Sequence, residues 1–256
     1  MKRILITGAS AGLGEALAKE AARRYGAANV TLGLLARRRD KLEALASELT
    51  QQGAAVLVLE ADVTDAKATA TAIGQFAQQA GGLDVLIANA GIGLPDLVKE
   101  GNPENVNQVF EVNVGGVVNS LWPAVPIMEE AGQGHLVAIA SVAGTIALPA
   151  QAAYSASKSA VISLVRSLRV RLGRRGIKVT ALCPGYIRTD MTAKNAYPMP
   201  FIMGAEKAAR LMWKAIEKNK GVYLFPWQMR WLSRYVFPLI PKGFLMGFSK
   251  DRSKKK

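Results

Sequence analysis

The sequence is poor in several residue types. Cysteine occurs once in 256 residues, at Cys183, and histidine once, at His135. A single cysteine excludes a disulfide within the chain and fits a reducing, cytoplasmic compartment. A single histidine argues against Ser-His-Asp catalysis and histidine-rich metal sites, so no metal ligand set is expected. Cys183 reads as a small strand-end core residue and His135 as a strand-edge residue, and neither is given a role. No apolar run is long enough to span a bilayer. The three apolar residues before Thr7 are too few for a signal peptide and read as a buried strand.

Acidic residues are missing over a long interval. No Asp or Glu lies between Ala131 and Thr189, while Arg166, Arg169, Arg171, Arg174, Arg175 and Lys178 crowd its second half. The net charge is +14, and residues 221–256 hold eight Lys or Arg against one acid, Asp251. Such an excess suits a solvated basic face, an anionic membrane surface or a polyanion. Basic and aromatic residues do not interleave as they do in single-strand binders, so nucleic acid is not an expected partner.

What the chain does contain is a regular alternation. Strands are predicted at Ile4–Thr7, Val30–Leu35, Val56–Glu60, Val85–Ala88, His135–Ala140, Lys178–Leu182 and Val222–Phe225. Helices are predicted at Leu13–Tyr25, Arg38–Gln51, Asp65–Ala80, Val106–Glu130, Ala152–Arg174 and Ala205–Asn219. The fourth of these should kink at Pro123 and Pro126. Alternation of this kind implies an α/β fold: a doubly wound, Rossmann-like parallel sheet of about seven strands with helices on both faces. Ligands then bind beyond the carboxyl ends of the strands, where strand order reverses. The expected organisation is one domain over residues 1–225, followed by a basic, aromatic extension over residues 226–256.

The first strand ends in Thr7-Gly8-Ala9-Ser10-Ala11-Gly12-Leu13-Gly14 and runs straight into a helix. Glycines allow a tight turn, and backbone N–H groups at a helix N-terminus suit a pyrophosphate. Gly8, Ser10, Gly12, Leu13 and Gly14 are therefore assigned to a dinucleotide. After the second strand come Arg37 and Arg38, where an NAD-specific site would place an acid. A guanidinium fork suits the 2′-phosphate of NADP, so NADP(H) is favoured over NAD(H). Exposed charges at a helix start are the alternative, and nearby Asp40 keeps NAD in play. Asp62-Val63 follows the third strand. Asp62 could accept from an adenine amino group, or Asp62 or Thr64 could cap the next helix.

With Ser141 and Tyr154-Ser155-Ala156-Ser157-Lys158, the chain resembles the short-chain dehydrogenase/reductase family, in its single-domain branch, over roughly residues 1–225. The glycine turn resembles that family's cofactor turn. Ala88-Asn89-Ala90-Gly91 resembles its Asn-Asn-Ala-Gly motif, with alanine in the first place. The resemblance implies that Asn89, Ala90 and Gly91, and further on Pro184, Gly185, Ile187 and Thr189, meet the cofactor. It also implies that Asn113 holds a water linking Lys158 to solvent; a buried asparagine satisfying backbone groups is the competing reading. Dimers or tetramers built on the two long helices are implied too. The arginines ending the second of these should face outward, away from a two-fold axis.

The chemistry follows from the residues as well. Tyr154 and Lys158 are four apart on a helix and share a face. A neighbouring ammonium favours a phenolate, making the tyrosine a usable proton shuttle. Tyr154 reads as general acid and Ser141 as orienter of a carbonyl oxygen. Lys158 tunes Tyr154 and, by the resemblance, holds the nicotinamide ribose. The expected reaction is interconversion of an apolar ketone or aldehyde and an alcohol. NAD-linked alcohol oxidation and a non-catalytic, membrane-associated NADP binder are the alternatives.

In the extension, Trp227, Trp231 and Tyr235 recur at helical spacing beside Arg230 and Arg234. This is the composition of an interfacial helix, and peripheral contact at the inner face of a membrane is expected. Packing over the cleft or onto a second subunit is the alternative. Met191–Met203, with Tyr197, Met199, Phe201 and Ile202, should form an apolar lid.

Overall fold

The structure is a computed structural model, and it describes residues 1–96, 98, 100–148, 151–193 and 198–236. Tyr197 of the expected lid and everything after Val236 lie outside the described residues.

Seven parallel strands form the main sheet: β1 Lys2–Thr7, β2 Val30–Ala36, β3 Ala55–Glu60, β4 Val85–Ala88, β5 Gly134–Ile139, β6 Ile177–Pro184 and β9 Val222–Phe225. Their order is β3-β2-β1-β4-β5-β6-β9. A second pair, β7 Ile187–Arg188 and β8 Met203–Gly204, joins the segments flanking residues 190–202. The main helices are α1 Gly12–Tyr25, α2 Arg39–Gln51, α3 Ala66–Ala80, α4 Glu104–Phe110, α5 Gly116–Glu130 and α6 Ala152–Gly173. After them come the single turn α7 Asp190–Ala193, the long α8 Ala205–Glu217, and the short α9 Trp227–Trp231.

The inner strands of the main sheet are apolar on both faces because both faces are covered. In β1, Ile4 and Ile6 pack towards α1, α2 and α8 through Leu17, Leu42 and Trp213. Leu5 points the other way, into a core with Phe76 of α3, Leu121 of α5 and Val161 of α6. The chain winds outward from β1 through β2 to β3, then returns to lay β4 on the other side of β1. The crevice beyond β1 and β4 is therefore the switch point of the sheet.

The helix expected over Val106–Glu130 is interrupted, but not at its prolines. α5 runs unbroken through Pro123 and Pro126. The irregularity is a π turn over Glu111–Gly115, which turns Asn113 fully into the interior. Residue spacing alone does not register one extra residue in a turn. Capping of α3 also differs from expectation. Neither Asp62 nor Thr64 caps it; Asp65 does, accepting from the Ala68 N–H at 2.9 Å. The arginines of α6 do not all face outward. Arg169 folds back, donating to the Val179 carbonyl at 2.7 Å and to Asn219 Oδ1 at 2.8 Å. The Arg169 fork thus joins α6, β6 and the end of α8. Arg166, Arg171 and Arg174 are exposed.

Candidate active site

The turn after β1 is held open by its neighbours. Gly8 has φ +65, and a Cβ there would lie 2.8 Å from Ala90 Cα, so only glycine fits. Gly14 lets α1 approach so closely that a side chain would strike the Gly8 carbonyl. The Thr7 hydroxyl accepts from the Asn89 and Ala90 N–H groups at 3.0 and 3.1 Å. Asn89 Nδ2 donates back to the Thr7 carbonyl at 2.9 Å and the Gly8 carbonyl at 3.2 Å. Asn89 thus stitches the ends of β1 and β4 together beneath the crevice. Ala11, before α1, provides no side-chain cap. The first N–H groups of α1 and its positive dipole end lack a side-chain cap at a glycine-lined wall, which suits a phosphate. These residues fit a dinucleotide.

Arg37 and Arg38 stand at the end of β2, both exposed. The Arg38 fork closes on the Ser10 hydroxyl, and Arg37 Nη1 lies 3.3 Å from Asp62 Oδ2. Asp62 Oδ1 accepts from the Thr64 N–H and hydroxyl at 3.0 and 2.9 Å. Burial alone would push the Asp62 carboxyl up, but the Thr64 donors and the Arg37 charge outweigh it and hold the pKa low. Asp62 therefore stays ionised and orients Arg37. Asp40 lies in the first turn of α2, exposed and outside the cleft wall.

Ser141 ends the segment after β5, its Oγ accepting from the Ala143 N–H at 3.1 Å. Its own hydroxyl donates to the Pro184 carbonyl at 3.5 Å. Lys158 is 3% exposed, and its Nζ donates to the Ile139 carbonyl at 2.9 Å. That nitrogen lies 5.7 Å from the centre of the Tyr154 ring. Burial pushes the Lys158 ammonium down to about 8. The charged form still predominates at neutral pH. Asn113 Oδ1 accepts from the Ile92 N–H at 2.8 Å, and Nδ2 donates to the Ile92 carbonyl at 3.0 Å and Ser157 Oγ at 3.1 Å. Its side chain thus joins the loop after β4 to the Ser157 hydroxyl on α6.

One cleft of about 410 Å³ gathers these groups. Its wall includes Gly8, Ser10, Gly12, Leu13, Gly14, Arg37, Arg38, Asp62, Val63, Asn89, Ala90 and Gly91. It continues through Ser141, Tyr154, Lys158, Pro184, Gly185, Ile187 and Thr189. Asn113 lies behind the wall. Ile92, Gln108, Val112 and Thr192 also line the cleft and were not singled out from sequence. Ile92 follows the Asn89–Gly91 motif directly, which was the available signal; Gln108 and Val112 carry none. Met191 reaches the cleft from the expected lid. Among the described residues, no group of three or more His, Cys, Asp or Glu could hold a metal ion.

A Rossmann-like sheet with a glycine-walled cleft and a buried lysine beside a tyrosine defines a nucleotide-dependent oxidoreductase class. The sequence profile of short chain dehydrogenases matches residues 2–198. A Myxococcus xanthus protein named as an uncharacterized oxidoreductase is 41% identical over 225 residues, 88% of this chain and 87% of its own. The crystal structure of a short chain dehydrogenase/reductase from Burkholderia phymatum in complex with NAD aligns with a TM-score of 0.83 at 26% identity, covering 91% of this chain and 92% of its own. A short chain dehydrogenase from Burkholderia cenocepacia in complex with NADP aligns at 0.79 and 28% identity, covering 87% and 95%. The chain belongs to the short chain dehydrogenase family. It is an oxidoreductase acting on CH–OH groups, in a family whose members bind NAD or NADP.

Proposed function

We propose that this enzyme uses NADPH to reduce an apolar ketone or aldehyde to an alcohol, and runs the reverse reaction with NADP. The observation that carries this reading is the buried Lys158 ammonium beside Tyr154, in the same cleft as Ser141 and the glycine turn. NADPH, which the glycine turn of Gly8, Gly12 and Gly14 would hold, would supply the hydride for the carbonyl carbon. Ser141 offers its hydroxyl proton to the carbonyl oxygen and holds it in place. Tyr154 gives its proton to that oxygen as charge develops there. Lys158, charged and shielded from water, stabilises the phenolate that remains. Asn113 acts from behind by fixing Ile92 in the cleft wall. Arg37 and Arg38 would hold the 2′-phosphate, and Val63 with Asp62 would border the adenine. The carbon-rich part of the wall, from Ile92, Val112, Ile187 and Met191, favours an apolar substrate. All these groups belong to residues 1–225, and the segment from 226 onward is an extension to that unit.

The test is incubation of the enzyme with NADPH and a panel of aldehydes and ketones, following nicotinamide absorbance. Consumption with apolar members supports the reading. No consumption in either direction, with nucleotide bound, would leave a non-catalytic binder.

The extension has a reading of its own. Trp227, Trp231 and Tyr235 are 73%, 54% and 55% exposed, while Met229 packs inward against Gly185. Exposed aromatics flanked by Arg230 and Arg234 favour peripheral contact with anionic lipid. No helix among the described residues is long and apolar enough to cross a membrane. Flotation with phosphatidylserine vesicles, comparing the enzyme with a Trp227→Ser/Trp231→Ser variant, tests this; equal recovery in the soluble fraction removes it. Exposed Phe110, Trp122 and Val170 on α4, α5 and α6 favour a homo-dimer or tetramer through those helices, which light scattering would measure.

A further inference from the structure

The loop after β4 runs from Gly91 to Asp96, and three other elements hold it. Asn113 brackets Ile92 through both its amide and its carbonyl. Asn105, on α4, donates to the Pro95 carbonyl at 2.9 Å. Asp96 then closes the loop onto α6. Its Oδ2 accepts from the Ala152 N–H at 2.5 Å and its Oδ1 from the Ala153 N–H at 3.2 Å. Tyr154 is the next residue. In mid-loop, Gly93 lies against the tyrosine ring: a Cβ built there would be 3.8 Å from Tyr154 Cδ2.

α6 has no cap from its own sequence. Gln151 precedes it and makes no side-chain cap bond. The first turn of a helix leaves N–H groups without partners and concentrates positive charge. A carboxylate answers both needs. Here it comes from 56 residues upstream. Because α6 carries both Tyr154 and Lys158, whatever fixes its first turn fixes where the phenol stands.

The structure assigns Asp96 as a positioning residue: its carboxylate ties the cleft-wall loop to the first turn of α6 and thereby sets Tyr154 in place. It acts through the helix rather than on the substrate. The assignment rests on Tyr154 being the proton donor.

The experiment compares Asp96→Ala and Asp96→Asn with the parent enzyme. The assay uses NADPH and the best carbonyl of the panel, with amide exchange at residues 152–154 as a second readout. Asp96→Ala should lower kcat by about tenfold or more, since small misplacements of reacting groups are costly, and KM for NADPH should stay within about twofold. The ionisation that limits kcat should move in the pH profile. Asp96→Asn keeps one acceptor, so it should lose only about two- to fivefold and keep the parent profile. Exchange at Ala152 and Ala153 should speed up in Asp96→Ala. Parent kcat and pH profile in a folded Asp96→Ala would overturn the proposal, even if its melting temperature fell. If Asp96→Ala does not fold, Asp96→Asn decides, and an unchanged kcat there would overturn it. Tyr154→Phe in the same assay keeps the two ideas apart. Full turnover in that variant refutes the proton donor, whereas an inactive Tyr154→Phe with an indifferent Asp96→Ala refutes only the positioning role.

Discussion

The guanidinium of Arg38 forks onto the hydroxyl of Ser10, with Nε at 3.2 Å and Nη2 at 2.9 Å. The contact joins the end of β2 to the glycine turn and parks a cation at the rim of the cleft. Arg37, held by ionised Asp62, stands beside it. Two charges so placed should prefer a nucleotide bearing a 2′-phosphate. A charge-assisted bond contributes about 1.5–3 kcal/mol. The double variant Arg37→Ala/Arg38→Ala should therefore weaken NADP binding by about 100-fold or more and leave NAD within about threefold. Calorimetric titration with both nucleotides measures this. Unchanged NADP affinity would return the arginines to a solvated helix start.

Thr7 has a structural task at the same turn. Its fully buried hydroxyl accepts from two N–H groups, those of Asn89 and Ala90. Thr7→Val keeps the shape and removes the acceptor. Leaving two buried donors without a partner should cost about 2–4 kcal/mol of stability, read from urea unfolding. A loss below about 0.5 kcal/mol would show that other acceptors replace the hydroxyl.

Lys158 trades stability for chemistry. In the folded chain its pKa lies near 8, against 10.5 for an ordinary lysine. The folded state thus holds the proton less tightly than the unfolded state does. Burial costs stability wherever both states are protonated, below about pH 8. The cost fades as pH rises from 8 towards 10.5. Lys158→Met, which also loses the bond to the Ile139 carbonyl, should be inactive yet more stable at pH 7 by about 1–2 kcal/mol. That advantage should vanish by about pH 10. A variant less stable than the parent at every pH would contradict the buried-charge account.

His135 shows the same effect at acid pH. Burial, with help from Lys178 and Arg169, pushes it down to about 3 from 6.5, and Nε2 sits 2.8 Å from Thr180 Oγ1. A histidine neutral in the fold and protonated when unfolded stabilises fully above pH 6.5. That contribution is lost as pH falls from 6.5 through 3. His135→Gln keeps a polar partner for Thr180 without titrating, so its unfolding midpoint should fall less steeply from pH 6.5 to 4. Parallel curves would contradict the assignment.

Much of this architecture is legible in the residues because it rests on period and punctuation. Strands covered on both faces read as short apolar runs, and Gly8 and Gly14 mark where a backbone must turn or approach. What escapes has a common cause. The π turn at Asn113 adds one residue to an otherwise helical pattern. Asp65 rather than Asp62 caps α3 because two carboxylates three residues apart look alike until the backbone decides between them. The two-residue strands β7 and β8 are too short to have a period. Arg169 looks like its exposed neighbours until β6 and the end of α8 bring their carbonyls to it. Asp96 serves a helix 56 residues away, and no local signal reports that.

The central claim is that the Tyr154 hydroxyl supplies the proton while the nucleotide site stands independently of it. Tyr154→Phe tests this most directly, with turnover and NADPH affinity measured on one preparation. Turnover should fall by about 100- to 10 000-fold, and the Kd for NADPH should stay within about twofold. Carbonyl reduction by Tyr154→Phe at the rate of the parent enzyme would contradict the account.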